Sequence, residues 1–217
     1  MSYDARRVDP LFDVLRFGLA CFVGVFTIVN PFSAAGLLVA LTPGQSTEQR
    51  RAQVGRAVVF MTAIMVATYI AGSYVLRFFS VSQPALVLAA GFLVARSGWR
   101  TVTGTDRLTP EQREESVHKL DISLTPLGMP LLAGPGTISV LIGLSADARG
   151  FAYHVAAMVA ILAVSASAWL ILRVAPAVAA RLGRSGEAAV SKVLGLLILC
   201  VGIQFLINGL RALQLTG

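Results

Sequence analysis

Charge is scarce in this sequence. Only 13% of its 217 residues are Asp, Glu, Lys or Arg, where a soluble domain carries about 25%, so an ordinary water-solvated globule is excluded. Cysteine is scarce as well, and Cys21 and Cys200 both fall inside apolar runs, which excludes a disulfide-framed scaffold. The two histidines, His118 and His154, stand far apart, so no metal-ligand spacing exists and no metal is expected. No Ser-His-Asp set or paired carboxylates can be assembled, and the chain is expected to be neither an enzyme nor the holder of a cofactor. No acid or base sits in the middle of a long apolar run, which removes the buried carboxylate that proton pumps use.

What is present is apolar length. Hydrophobic residues make up 56% of the chain, and the stretches between charges are Phe17–Thr47, Ala57–Leu76, Phe78–Ala95, Ile122–Ala146, Gly150–Leu172 and Val193–Leu210. Even the shortest, at 18 residues, approaches the length that spans about 30 Å of hydrocarbon at a rise of about 1.5 Å per residue. They are rich in Leu, Ala, Val and Ile without strand alternation, so backbone satisfaction in lipid favours helices over a barrel. The fold expected is an all-α membrane protein of six transmembrane helices, at about 14–42, 54–77, 82–102, 122–146, 150–173 and 192–213. A cleaved secretory leader is the competing reading of the N-terminus, but Asp9 and Asp13 interrupt its approach and the apolar run continues to Leu41.

Six crossings sort the 18 basic residues onto two sides, 6 on one and 12 on the other. The side holding Arg50, Arg56, Arg96, Arg173 and Lys192 is the richer. The positive-inside rule makes that side cytoplasmic and puts both termini outside the cytoplasm. The net charge of +7 is then accounted for by topology and lipid headgroups, with no nucleic-acid partner implied. The only long polar connection, Arg96–Asp121, contains Thr109-Pro110-Glu111-Gln112, a capping-box pattern that predicts a short cytoplasmic surface helix. Residues 104–121 read as a linker between two halves, 1–103 and 122–217.

Each half contains three of the spans, and a shift of 104 residues places Pro31 on Pro135, Gly91 on Gly195 and Gly98 on Gly202. An odd number of crossings per half forces the second copy to enter the membrane from the opposite side, so the expected architecture is two inverted three-helix repeats. The first helix of each repeat is expected to be broken near the midplane. Asn30-Pro31-Phe32-Ser33 interrupts the first, and Pro130 with Ala133-Gly134-Pro135-Gly136-Thr137 interrupts the second. Proline removes a donor and glycine permits unusual backbone, and groups freed inside a membrane are tolerated only against protein or a water-lined cavity.

A substrate site follows from that geometry without a charged side chain. A half-helix starting near Gly136 offers its positive end to an anion, while Asn30, Ser33, Thr137, Ser139 and unwound carbonyls can receive an ammonium or a sodium ion. The candidate substrate-binding residues are Asn30, Pro31, Ser33, Gly134, Pro135, Gly136, Thr137 and Ser139. Gln204 and Asn208, four apart on one face of the last span, are candidates for the pathway or for helix-to-helix hydrogen bonds. His154 reads as an interfacial ring and Ser165 and Ser167 as packing residues.

These motifs resemble the MarC family of integral membrane proteins. The resemblance rests on Asn30-Pro31 with Leu41-Thr42, on Pro130-Leu131-Leu132-Ala133-Gly134-Pro135-Gly136-Thr137-Ile138, and on Gly195-Leu196-Leu197 with Gln204-Phe205 and Asn208-Gly209. It implies a six-helix inner-membrane protein with two inverted repeats, and the movement of small neutral amino acids such as glycine or alanine. The chain departs from the family pattern at Ser33, Gly36 and Ala90, where glycine, proline and glycine are usual. The expected function is a secondary transporter of small neutral amino acids, working as an exporter by alternating access in a bacterial inner membrane. Coupling to sodium, coupling to protons and uncoupled movement stay open, as does homo-oligomerisation. The alternative is a membrane scaffold whose helix breaks only shape packing.

Overall fold

A computed structural model of the chain describes residues 10–42, 45–104, 121 and 123–214. Among these the regular structure is helical throughout. The elements are α1 (Pro10–Val29), α2 (Pro31–Leu41), α3 (Thr47–Phe78), α4 (Gln83–Thr103), α5 (Ser123–Leu132, wound as a π-helix), α6 (Pro135–Asp147) and α7 (Phe151–Gln214). Five segments are long and apolar enough to cross a membrane: Pro10–Gly36, Thr47–Gly72, Pro84–Thr103, Phe151–Val178 and Gly195–Gln214. The crossing expected at 122–146 is divided between α5 and α6, and neither is long enough alone. The linker around residues 105–120, with its expected surface helix and His118, lies outside the described residues.

Local chemistry sets the helix ends. The N–H of Ser46 donates to Gln49 Oε1 at 3.1 Å and the N–H of Gln49 donates to Ser46 Oγ at 3.2 Å, a reciprocal cap that starts α3 well before the expected 54. Its first turns carry Glu48, Arg50 and Arg51, so bounds drawn at charges cut the helix short. Ser82 caps α4, accepting from the Ala85 N–H at 3.4 Å. At the far end Gly104 adopts φ 73° and returns its N–H to the Arg100 carbonyl, a turn that glycine makes without steric cost.

The last element departs most from expectation, because helical bonding continues through the charged stretch between the two expected spans. A straight α-helix of 64 residues would run about 96 Å at a rise of about 1.5 Å per residue. Both of its ends nevertheless lie at one end of the bundle. Asp147, four residues before the start of α7, lines the same cavity as Ala212, near its finish. The stretch therefore doubles back between Leu172 and Gly195, a part that contains Pro176, where an intrahelical donor is missing. Its two arms are hereafter the first arm, 151–172, and the second arm, 195–214.

The first arm runs against α3, with Tyr69 meeting His154 and Thr62 meeting Ser165. The second arm runs antiparallel to α4 along a seam of glycines. A Cβ on Gly91 would lie 2.9 Å from the Gly202 carbonyl oxygen, one on Gly98 2.8 Å from that of Gly195, and one on Gly209 2.7 Å from Leu88 Cγ. Small residues let backbones approach this closely, and close packing is what holds helices together where lipid offers no hydrophobic gain.

The core draws on all seven helices, with Val25, Leu38, Met61, Met65, Val94, Leu127, Leu141, Ile161 and Ile198 fully buried. Large apolar side chains also point outward around the bundle, among them Leu19, Val59, Phe92, Leu162, Val193 and Leu196. An apolar exterior of this kind fits a hydrocarbon surround. Hydroxyls inside the helices return to their own backbone, as Thr27 does to the Val23 carbonyl at 2.6 Å and Ser167 to that of Ala163 at 2.8 Å.

Candidate functional site

Both expected breaks occur, and each is followed by a helix that restarts on proline. In the first, Asn30 is the single non-helical residue between α1 and α2. Its φ of 44° is left-handed, a conformation that asparagine tolerates better than most residues. The residue serves both helices. Its N–H donates to the Phe26 carbonyl at 3.0 Å, and its carbonyl accepts from the Ala34 N–H at 3.2 Å. Pro31 then occupies the first position of α2, where a missing N–H costs nothing to the new helix. Rings brace the corner, with Phe22 stacked on Phe26 at 5.5 Å and Phe26 edge-on to Phe32 at 6.2 Å. The side chain of Ser33 lies outside the described residues.

In the second break, Ala133 N–H donates to the Gly128 carbonyl at 3.0 Å and closes the π-helix, while the Gly134 carbonyl accepts from Ile138 N–H at 3.1 Å and opens α6. Gly134 is extended, with φ −83° and ψ 176°, and Pro135 is the first residue of α6. The side chain of Pro135 also lies outside the described residues. Thr137 is buried, and its hydroxyl reaches back across the break to the Leu132 carbonyl at 3.4 Å. A Cβ at Gly136 would stand 3.3 Å from Val94 Cγ2 and 3.4 Å from Ile28 Cγ2. Ile28 is two residues before Asn30, so the two break regions pack together inside the bundle.

The sequence candidates do not all share one space. Asn30 and Thr137 are only 3% and 2% exposed. Ser139 instead lines a cavity of about 330 Å³ between α4, α6 and the second arm of α7, together with Ala90, Asp147, Phe205 and Asn208. Gln204 donates through Nε2 to Asn208 Oδ1 at 2.9 Å, so this pair bonds within its own helix. The floor of the cavity at Ser139 is one helical turn beyond Pro135, which ties the cavity to the second break.

Comparison with known proteins places this geometry. The family of MarC family integral membrane proteins matches over residues 15–214, a range that contains both breaks and the cavity. The inner membrane protein MarC of Citrobacter koseri is 34% identical over 212 residues, covering 92% of this chain and 95% of the relative. The protein of that name in Salmonella typhimurium is 32% identical with the same coverage, and a membrane protein of Methanocaldococcus jannaschii is 30% identical, covering 91% of this chain and 97% of its own length. The chain belongs to the MarC family. No solved structure matches it.

In this MarC family member the motif Pro130–Ile138 is thus the end of a π-helix, an extended glycine and the start of α6. Asp147 bounds the apolar run rather than interrupting it, so charge spacing alone does not mark it; its signal is the register 139, 140, 143, 144 and 147, which shares one face of α6. Tyr69 was missed too. It is buried, and its hydroxyl meets the ring of the exposed His154 at Nδ1, 2.9 Å away. Among the described residues no group of three or more His, Cys, Asp or Glu could hold a metal ion.

Proposed function

We propose that the protein is a secondary transporter of small neutral amino acids of the glycine or alanine type, working as an exporter by alternating access. The observation that carries this reading is the pair of interior breaks. Asn30 and Gly134, the residues before the two restarting prolines, are 104 positions apart, and the two regions pack against each other at Ile28 and Gly136. Paired discontinuous helices at matching positions of two halves are how transporters present backbone groups to a substrate in the membrane. The reading takes α5 and α6 together as a sixth crossing and the two halves as inverted repeats. The glycine seam supports that symmetry, since Gly91 faces Gly202 and Gly98 faces Gly195.

The same reading puts the protein in an inner membrane, as the names of the bacterial relatives say of those proteins, with both termini outside the cytoplasm. Its partners are the amino acid and lipids, with no nucleic acid, and a homo-oligomer is compatible with it. Sodium or proton coupling is assigned by experiment: efflux and uptake of labelled glycine and alanine in proteoliposomes, with sodium, proton or no gradient imposed. Flux above protein-free vesicles that saturates with substrate is the expected result. Absence of saturable flux from correctly folded protein under every gradient would leave the breaks as packing devices of a membrane scaffold.

A further inference from the structure

The polar groups of the α4–α6–α7 cavity are arranged for a molecule that carries both charges. Asp147 is the only charged side chain among the described lining residues, and it stands exposed where α6 ends. Ser139 and Asn208 supply the remaining polar side chains, and Ala90 and Phe205 form part of an apolar wall. Gln204 donates to Asn208 Oδ1, and the two hydrogens of Asn208 Nδ2 are available as donors. The volume of about 330 Å³ is near the small end of ligand cavities, about 300–1,000 Å³.

We infer that this cavity is where the amino acid docks, with Asp147 accepting its ammonium and Asn208 and Ser139 donating to its carboxylate. The inference rests on the transporter reading for its choice of ligand and adds to it a residue, Asp147, that recognises the ammonium. A charge-assisted hydrogen bond to a carboxylate is about twice as strong as a neutral one. An uncharged or purely anionic analogue gains nothing from Asp147, so the site selects zwitterions. The docked molecule lies one helical turn from Pro135, within reach of the broken backbone when the halves move.

The test is glycine binding to the purified full chain in nanodiscs, run beside flux in proteoliposomes. Asp147→Asn should weaken glycine binding tenfold or more, and N-acetylglycine, which lacks the ammonium, should not compete in the wild-type protein. Gly143→Leu fills the cavity from a position where a Cβ meets nothing within 4 Å; it should fold, and it should abolish binding. Ser167→Ala, whose hydroxyl bonds to its own helix, should bind as wild type. Binding and flux within twofold of wild type in both Asp147→Asn and Gly143→Leu, or equal competition by N-acetylglycine, overturns the site while leaving the transporter reading intact. Binding that follows these expectations without any flux upholds the site and overturns the transporter reading. Neither binding nor flux in the folded wild type overturns both.

Discussion

Gly98 packs so closely on Gly195 that a Cβ added to it would lie 2.8 Å from the Gly195 carbonyl oxygen, and Gly91 stands in the same relation to Gly202 at 2.9 Å. The 104-residue shift that carries Gly91 onto Gly195 carries Gly98 onto Gly202, so each glycine touches the counterpart of the other. Two segments related by a local two-fold axis make contacts of this reciprocal kind. The crossing of α4 with the second arm of α7 is therefore a close backbone contact of the kind the proposed repeat calls for.

Larger side chains at this seam should loosen the join. For Gly98→Val and Gly202→Val the obstacle is backbone rather than a flexible side-chain end, and overpacking of this sort typically costs about 1–3 kcal/mol. Gly143→Ala, with open space around its Cβ, should be neutral or slightly stabilising, because alanine favours helix over glycine by about 1 kcal/mol. Thermal unfolding in detergent checks both. A Gly98→Val protein as stable as wild type would mean that α4 and α7 are not held by this contact.

The side of the membrane is tested by labelling. With Cys21 and Cys200 replaced, a single cysteine at residue 110 should react only after the cytoplasmic face is opened, and one at residue 80 should react from outside. The division of basic residues motivates this, and the fold adds that Ser80 lies in the short turn between α3 and α4. Outside labelling at 110 would overturn this orientation.

Asp121 gives a pH dependence whose sign can be worked out. Hydrogen bonds from Ser123, including its N–H at 2.9 Å, hold the Asp121 carboxyl below the usual range, and Arg56, paired with it at 2.8 Å, adds to the effect. A depressed carboxylate stabilises the fold above its unfolded pKa and loses that contribution as pH falls through its folded value. The lost stability should therefore appear only in the acid range. Both side chains of the ion pair are about half exposed, at 53% and 47%, so solvent screening keeps that pair within about 1 kcal/mol. Asp121→Asn should lower the melting temperature slightly at neutral pH and match wild type in strong acid. An equal loss at both extremes would show that the residue acts by shape alone.

Much of this architecture was legible because the membrane makes charge spacing informative. Apolar runs bounded by Arg and Asp gave the centres of the helices, and Pro31 and Pro135 gave both breaks, since a proline inside an apolar run has few structural uses. Other features depend on forces that leave no periodic trace. The π winding of α5 has no local pattern to announce it; Gly128 within it lies against α3, where a Cβ would stand 3.4 Å from Phe60 Cβ. Arg173, Arg181 and Lys192 looked like a boundary, yet charged residues with long stems are good helix formers, and α7 winds through them. The association of Ser139 with Asp147 and Asn208 instead of with Asn30 comes from how three helices meet, which a sequence read one helix at a time does not contain.

The sharpest test of the transport site is to separate what Asn30 and Gly136 do as backbone from what they do as chemistry. Asn30→Ala removes a polar side chain and also forces alanine into the left-handed region, a strain of about 1–2 kcal/mol, so its loss of transport by itself is ambiguous. Asn30→Gly keeps the φ of 44° without strain and removes only the amide. If Asn30 binds substrate, both variants lose flux and only the alanine loses stability. At Gly136 the same logic uses size. Alanine has contacts of 3.3 and 3.4 Å to accommodate, whereas leucine would place a branched side chain over the first amides of α6. Once the substrate has moved from the cavity to the break, losing one charge-assisted backbone bond to its carboxylate costs about 1.5–3 kcal/mol, so Gly136→Leu should weaken binding there by about one to two decades. His154→Ala is a poor control, since it strands the buried Tyr69 hydroxyl; Ser167→Ala serves better. Wild-type affinity and flux in folded Asn30→Gly and Gly136→Leu proteins would reduce both breaks to kinks that shape packing.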